Sequence, residues 1–255
     1  LSDFWRDFSS NKIALISLLI FLTIVFVAVF APIVSPTNPY DLSSVDIMDS
    51  RLPPGSTNYS GQIFLLGTDG AGRDMLSSIF YGLRVSLGVG ALSGVIALTI
   101  GSFFGVSAAF FRGKYETIVM RIVDIQLSFP SILVALIIIA AFGKGIEKTM
   151  IALILVQWAY YARTARASAL VEMNKEYIDA ARCLAFGNTR IMFKHILPNC
   201  LAPLIVVGTL QTAHAISLEA TLSFLGLGLP VTEPSLGLLI GNGFEYMYSG
   251  DFWIS

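Results

Sequence analysis

The chain has 255 residues, 55% of them hydrophobic and only 13% charged, with a mean hydropathy of +0.74. Soluble domains carry roughly 25% charged residues, so this composition excludes an ordinary soluble fold and points to a polytopic membrane protein. A formal net charge of −1, with no basic block beyond scattered Arg and Lys, gives no footing for nucleic acid.

Residues 1–12 hold Phe4, Trp5, Arg6, Phe8 and Lys12, which suits entry at a membrane interface. Ile13–Val34 follows as 22 residues without a charge, long enough to span at about 1.5 Å per residue. No small-residue cleavage pattern follows it, so a cleaved leader is not expected. Residues 35–62 turn abruptly rich in Pro, Ser, Asn and Asp and read as an extramembrane loop. Gly67, Gly70 and Gly72 then permit a tight turn in which Asp69, Arg73 and Asp74 can satisfy one another. A self-paired turn and a substrate site with free carboxylates both fit these residues.

Val85–Phe111 is a second charge-free run, 27 residues long, with Gly88, Gly90, Gly94, Gly101 and Gly105 available for close helix packing. The basic turn Arg112-Gly113-Lys114 is no phosphate loop, because Tyr115 stands where Ser or Thr is needed and no glycine precedes at the required spacing. A third span is expected over Ile118–Phe142. Arg121 and Asp124 lie three residues apart there and can pair with each other or snorkel, and Pro130 is expected to kink the helix. Asp124 and Pro130 are the first two pathway candidates, since ionisable residues within spans are functional candidates by default. After the turn Gly143–Lys148, a fourth span begins at Thr149–Ala162.

Tyr161–Asn199 is the longest polar stretch and sits between two apolar runs. It reads as two short helices. The first carries an apolar stripe at Met173, Tyr177, Ala180/Ala181 and Leu184, with Glu172, Glu176, Asp179 and Arg182 on other faces. Gly187-Asn188 interrupts it, Asn188 is expected to cap the second helix, and Pro198 to close it. The small pair Ala180–Ala181 would let another protein's backbone come close. A docking element and a plain amphipathic connector both fit. Cys183 and Cys200 lie in or beside this loop, with no zinc-like spacing to the two histidines, His195 and His214.

Ile196–Leu218 holds no full charge and is the fifth span, with His214 and Glu219 near its far end as further pathway candidates. The piece from Glu219 to Gly228, followed by Pro230 and Pro234, reads as too broken for a simple span. A re-entrant or lining segment is expected. Glu219 could meet a substrate amine or bond to nearby Thr and backbone groups.

The string Asp179-Ala180-Ala181, with Leu197-Pro198 at a fixed distance, resembles the signature loop of the integral-membrane permease subunits of ABC importers. Glu176-Tyr177 through His195-Ile196-Leu197-Pro198-Asn199 is similar to the C-type permeases of dipeptide, oligopeptide and nickel importers. So are Leu66-Gly67-Thr68-Asp69, Gly72-Arg73-Asp74 and Glu219-Ala220-Thr221-Leu222-Ser223-Phe224. One departure stands out: the family glycine position holds Ala185, and Gly187 is the nearest stand-in for the turn.

The resemblance implies an all-α polytopic membrane protein with the type I ABC importer transmembrane fold. Five spans fall within the chain, and a sixth is expected beyond residue 255. The expected organisation is 1–34 as N-terminal segment and first span, 35–84 as periplasmic loop, and 85–255 as permease core with a cytoplasmic coupling loop at 163–199. The implied partners are a second homologous permease, one or two ABC ATPase subunits, an extracytoplasmic substrate-binding protein and the lipid membrane. ATP and Mg would be held by the ATPases, with no cofactor, metal or catalytic residue in this chain. The docking set would be Glu176, Tyr177, Asp179, Ala180, Ala181, Leu184, Ala185, Phe186 and Gly187, and the loop-structural set His195, Leu197, Pro198 and Asn199.

Charge supplies the orientation. With the N-terminus and the loop inside, the inner segments hold eleven Lys and Arg and the outer segments five. The role the resemblance implies is a permease subunit in the bacterial inner membrane that moves di- or oligopeptides, or nickel-type ligands, with energy from a separate ATPase. A gradient-driven secondary transporter is the alternative, but it would need an internal repeat or convergent buried acids, and neither is read here. A membrane enzyme lacks any HExxH-type spacing.

Overall fold

The computed structural model describes residues 8–41, 45–230, 233 and 235–254. Phe4, Trp5 and Arg6 of the interfacial segment, and Pro234, lie outside these. Helices α1 (Lys12–Val29) and α2 (Ala31–Val34) come first, then a short hairpin of β1 (Ser56–Thr57) and β2 (Ile63–Phe64). The remainder is helical: α3 (Met75–Phe111), α4 (Gly113–Leu127), α5 (Ser131–Phe142), α6 (Ile146–Glu172), α7 (Glu176–Cys183), α8 (Asn188–Arg190), α9 (Leu197–Asn199), α10 (Leu201–Phe224) and α11 (Leu236–Tyr246). Among the described residues, α1, α3 and α10 are each long and apolar enough to cross a membrane. The pair α4 and α5 passes the same test only when taken together.

Two compact units result: the chain up to Gly88 together with Ser223 onward, and Val89–Leu222. In the first, β1 and β2 pair antiparallel with Ser56 opposite Phe64 and Thr57 opposite Ile63. The turn that follows is built on two left-handed glycines. A Cβ on Gly67 (φ +79°) would lie 2.5 Å from the Leu52 carbonyl oxygen, and one on Gly72 (φ +83°) 2.2 Å from that of Asp46, so neither position admits a side chain. Asp69 accepts from the Ala71 and Arg73 amides, each at 2.9 Å, and pairs with Arg73 Nε at 2.7 Å. This is the self-paired turn. Asp74 does not join it. Its Oδ2 accepts from the Ser77 amide at 2.9 Å and so caps α3, an interaction worth about 1 kcal/mol. Ser235 caps α11 in the same way through the Leu238 amide, at 3.1 Å.

In the second unit the close approach is between α3 and α6. A Cβ on Gly101 would lie 2.5 Å from the Trp158 carbonyl oxygen, and one on Gly105 2.4 Å from that of Ala162. Small residues four apart thus lay one helix backbone on the other. Two ion pairs join α4 to α6, Glu116–Arg166 (Oε1 to Nε, 2.7 Å) and Asp124–Arg163. Of the two readings open for Asp124, the pair with Arg121 does not form, because Asp124 reaches across to Arg163 instead. Gln126 adds a polar clamp: its Nε2 donates to the Leu155 carbonyl, and its Oε1 accepts from Trp158 Nε1 at 2.8 Å.

Two expectations for the spans change in the structure. Pro130 does more than kink a helix, since α4 and α5 are separate and bent by 93° across Ser128–Pro130. Proline cannot continue the hydrogen-bond ladder and pushes its predecessor out of the helical region. The stretch from Glu219, expected to be broken, stays helical as far as Phe224. Ala220, Thr221 and Leu222 are compatible with a helix, and the chain turns only from Gly226 (φ +70°).

Candidate functional site

The loop between α6 and α10 is organised by its own core. Ile178 (fully buried) and Ala181 (4% exposed) on the underside of α7 belong to one apolar cluster with Met173, Ile191, Met192, Ile196 and Cys200. Spacing of i and i+3 puts Ile178 and Ala181 on one helix face. Of the stripe expected from the sequence, Met173, Tyr177, Ala180/Ala181 and Leu184, the structure buries Met173 and Ala181 beside Ile178 and leaves Tyr177, Ala180 and Leu184 exposed. Ala181 therefore faces inward and is covered by this chain, whereas Glu176, Asp179, Ala180 and Leu184 (67% exposed) form the outer face.

The turn after α7 settles the glycine question. The Phe186 amide donates to the Ala181 carbonyl at 3.1 Å and the Ala185 amide to that of Arg182 at 2.9 Å. These are the paired bonds of a Schellman C-cap, and they require a left-handed residue at Ala185, where φ is +55°. The turn has not shifted to Gly187, whose φ is −63°. An alanine occupies the conformation a glycine would take without strain.

Asn188 is likewise not a cap: Gly187 precedes α8 in that role and no side chain bonds to the helix start. Beyond α8 the helix widens into a π-helical turn at Ile191–Ile196, just ahead of Pro198 in α9. Proline offers no N–H to the carbonyl four residues back and its ring clashes with it, so a wider turn fits there. Pro198 thus sits within the helical run instead of closing it.

A polar network backs α7. Glu172, the last residue of α6 and 8% exposed, accepts from Lys175 Nζ at 2.7 Å and from the Tyr177 hydroxyl at 2.6 Å. Asn199 Nδ2 donates to Tyr177 Oη at 3.3 Å and to the His195 carbonyl at 2.6 Å. Lys175, and behind it the Tyr177 hydroxyl, hold the Glu172 carboxyl below its ordinary range. Burial, reinforced by that carboxylate, pushes the Tyr177 phenol up to about 12. His195 stacks on Phe186 with centroids 5.7 Å apart, and Arg190 lies 4.0 Å over the other partner of that stack, the Phe186 ring. Leu197 packs against the cluster beneath. Of the loop residues, Glu172 was read from the sequence only as a polar-face residue, and Ile178 was not named. The one available signal was the i, i+3 spacing of Glu172 and Lys175.

The pathway candidates are spread out. Asp124 is taken up by Arg163, and Pro130 marks the bend. Ser131, next to Pro130, has its Oγ 3.2 Å from His214 Nε2. Glu219 is fully buried within α10. Among the described residues no group of three or more His, Cys, Asp or Glu is placed to hold a metal.

Comparison with known proteins places this geometry in a lineage. Residues 97–250 match the family described as binding-protein-dependent transport system inner membrane component, and residues 1–54 match the N-terminal TM domain of oligopeptide transport permease C. The di/tripeptide transport system permease protein DppC of Pseudomonas aeruginosa is 42% identical over 97% of this chain and 80% of its own length. The dipeptide transport system permease protein DppC of Escherichia coli K12 is 40% identical over all of this chain and 83% of its own. A chain from inward-facing conformations of the MetNI methionine ABC transporter superposes with a TM-score of 0.58 at 23% identity, covering 69% of this chain and 83% of that one, and so shares the fold. The chain belongs to the binding-protein-dependent transport system inner membrane component family, the membrane-spanning permeases of ABC importers.

Proposed function

We propose that this chain is the C-type permease subunit of an ATP-driven importer of di- or oligopeptides, with its N-terminus in the cytoplasm and α7 seated on a separate ATPase. The observation that carries this reading is α7 itself. Its underside is locked into the chain's own core, while Glu176, Asp179, Ala180 and Leu184 face outward. Leu184 offers apolar contact and the two carboxylates offer polar anchoring. ATP and Mg would be bound by one or two partner ATPases, and a second permease and an extracytoplasmic binding protein would complete the assembly. Closure of the ATPases would push on α7 and shift the spans between inward- and outward-facing states, each favoured by a different ligand. The names of the relatives favour peptides over nickel-type ligands.

The test is co-purification of the tagged chain with the products of neighbouring genes, as wild type and as Ala180→Arg. The substitution sets a long cation on the outer face and spares the core. Wild type is expected to bring down an ATPase, and the variant to lose it while keeping the second permease. Purification of the wild type without an ATPase, with solute uptake driven by an ion gradient, would replace this reading with a secondary transporter.

A further inference from the structure

The geometry points to a three-residue strut, Glu172–Tyr177–Asn199, that ties the docking helix to the helices before and after it and carries its displacement to both. The inference rests on the docking reading above and adds the route by which motion leaves α7.

Three facts combine at one atom. Tyr177 lies in the first turn of α7, and its hydroxyl donates to Glu172, the C-terminal residue of α6, at 2.6 Å. The same oxygen accepts from Asn199 Nδ2 at 3.3 Å, and Asn199 ends α9 two residues before α10 begins at Leu201. The far ends are anchored as well: Lys175 occupies the other Glu172 oxygen, and Asn199 also holds the His195 carbonyl. A hydrogen bond to a carboxylate is stronger than a neutral one, so the branch toward α6 is the stiffer of the two. The apolar cluster under Ile178 and Ala181 resists compression of the loop. It is non-directional, however, and lets side chains slide over one another. Directional bonds to both neighbouring helices prevent that sliding. Glu172, Tyr177 and Asn199 are therefore positioning residues, acting through the helices they join.

The two branches can be cut separately. Asn199→Ala severs the link to α10 and leaves only a long 3.5 Å contact of the Tyr177 hydroxyl with the His195 carbonyl, Glu172→Ala severs the link to α6, and Tyr177→Phe severs both while keeping the ring. Glu172→Gln keeps an acceptor for the Tyr177 hydroxyl. The experiment isolates the whole transporter through a tag on this chain and measures the ATPase retained per chain. Amide exchange is then followed with and without ATP plus orthovanadate. In the wild type, nucleotide is expected to change exchange at both 165–172 and 201–206. Asn199→Ala should lose roughly tenfold of the response at 201–206 alone, the loss of one bond of about 1.4 kcal/mol. Glu172→Ala should lose it at 165–172 alone, with Glu172→Gln restoring it. A purely structural role would lower protection without nucleotide and leave these end-specific differences untouched.

Wild-type responses in every variant, or the same loss at both ends for Asn199→Ala, would overturn the strut while leaving docking intact. A wild-type preparation that retains no ATPase would sink the docking reading, and the strut with it. Should Tyr177→Phe fail to assemble, the two single-branch variants still decide.

Discussion

The residue at the turn after α7 offers the sharpest check of the structure. Ala185 holds φ at +55° so that the amides of Ala185 and Phe186 can close the cap on Arg182 and Ala181. A left-handed conformation costs an L-residue roughly 1–2 kcal/mol, and glycine escapes that cost while losing more conformational freedom on folding, about 0.5–1 kcal/mol. Ala185→Gly should therefore stabilise the turn by a net of about 0.5–1 kcal/mol, which raises amide protection of Ala185 and Phe186 some two- to fivefold. Hydrogen exchange with residue-level resolution reads this directly. Gly187→Ala is the matching control: its backbone is ordinary, at φ −63°, and a Cβ there meets nothing within 4 Å. It should leave protection within about twofold of the wild type. Lower protection in Ala185→Gly, or a larger loss in Gly187→Ala than in Ala185→Val, would refute the argument and return the turn to Gly187.

Other perturbations follow from the same packing. Gly105→Ala places a methyl 2.4 Å from the Ala162 carbonyl oxygen, so α3 must move off α6. An overpacking cost of about 1–3 kcal/mol should appear as a lower melting temperature in detergent. Ile178→Ala empties a fully buried site in the loop core and should cost about 2–5 kcal/mol of local stability by proteolysis. Asp179→Ala on the outer face should stay within about 0.5 kcal/mol, and an equal loss in the two variants would contradict the assignment of faces. The pH dependence has two edges. Glu172 has a lowered pKa, so its contribution is present above the ordinary carboxylate value and is lost as pH falls below about 4. Tyr177 has a raised pKa, so its contribution is present below about 10 and is lost as pH rises toward about 12. Loop protection, corrected for intrinsic exchange, should be flat between these edges, and a midpoint near pH 7 would show that another group controls the loop.

The sequence by itself determined the class, the apolar runs and the place of the polar loop, because each follows from local composition. Twenty or so uncharged residues cannot be kept in water, and a long polar stretch cannot be kept in lipid. The resemblance of Asp179-Ala180-Ala181 and Leu197-Pro198 to permease signatures was also legible, and the family comparison agrees with it. Other features were decided by groups far apart in the chain. Asp124 chose Arg163 over Arg121 because α6 brings a guanidinium across to it, an attraction no i, i+3 rule can weigh. Which face of α7 is buried depended on where Ile191, Met192 and Ile196 return beneath it, so a hydrophobic stripe read from α7 alone caught Met173 and Ala181 but left out Ile178 and took in the exposed Leu184. Ala185 was left in a glycine's conformation because the cap bonds and the packing of Phe186 against His195 fix the turn there. Glu172 became central only when the fold set Lys175 and Tyr177 on its carboxylate and Asn199 behind the Tyr177 hydroxyl. Periodicity and composition are properties of neighbours along the chain, whereas an ion pair between helices, a strained turn and a shared hydroxyl belong to neighbours in space.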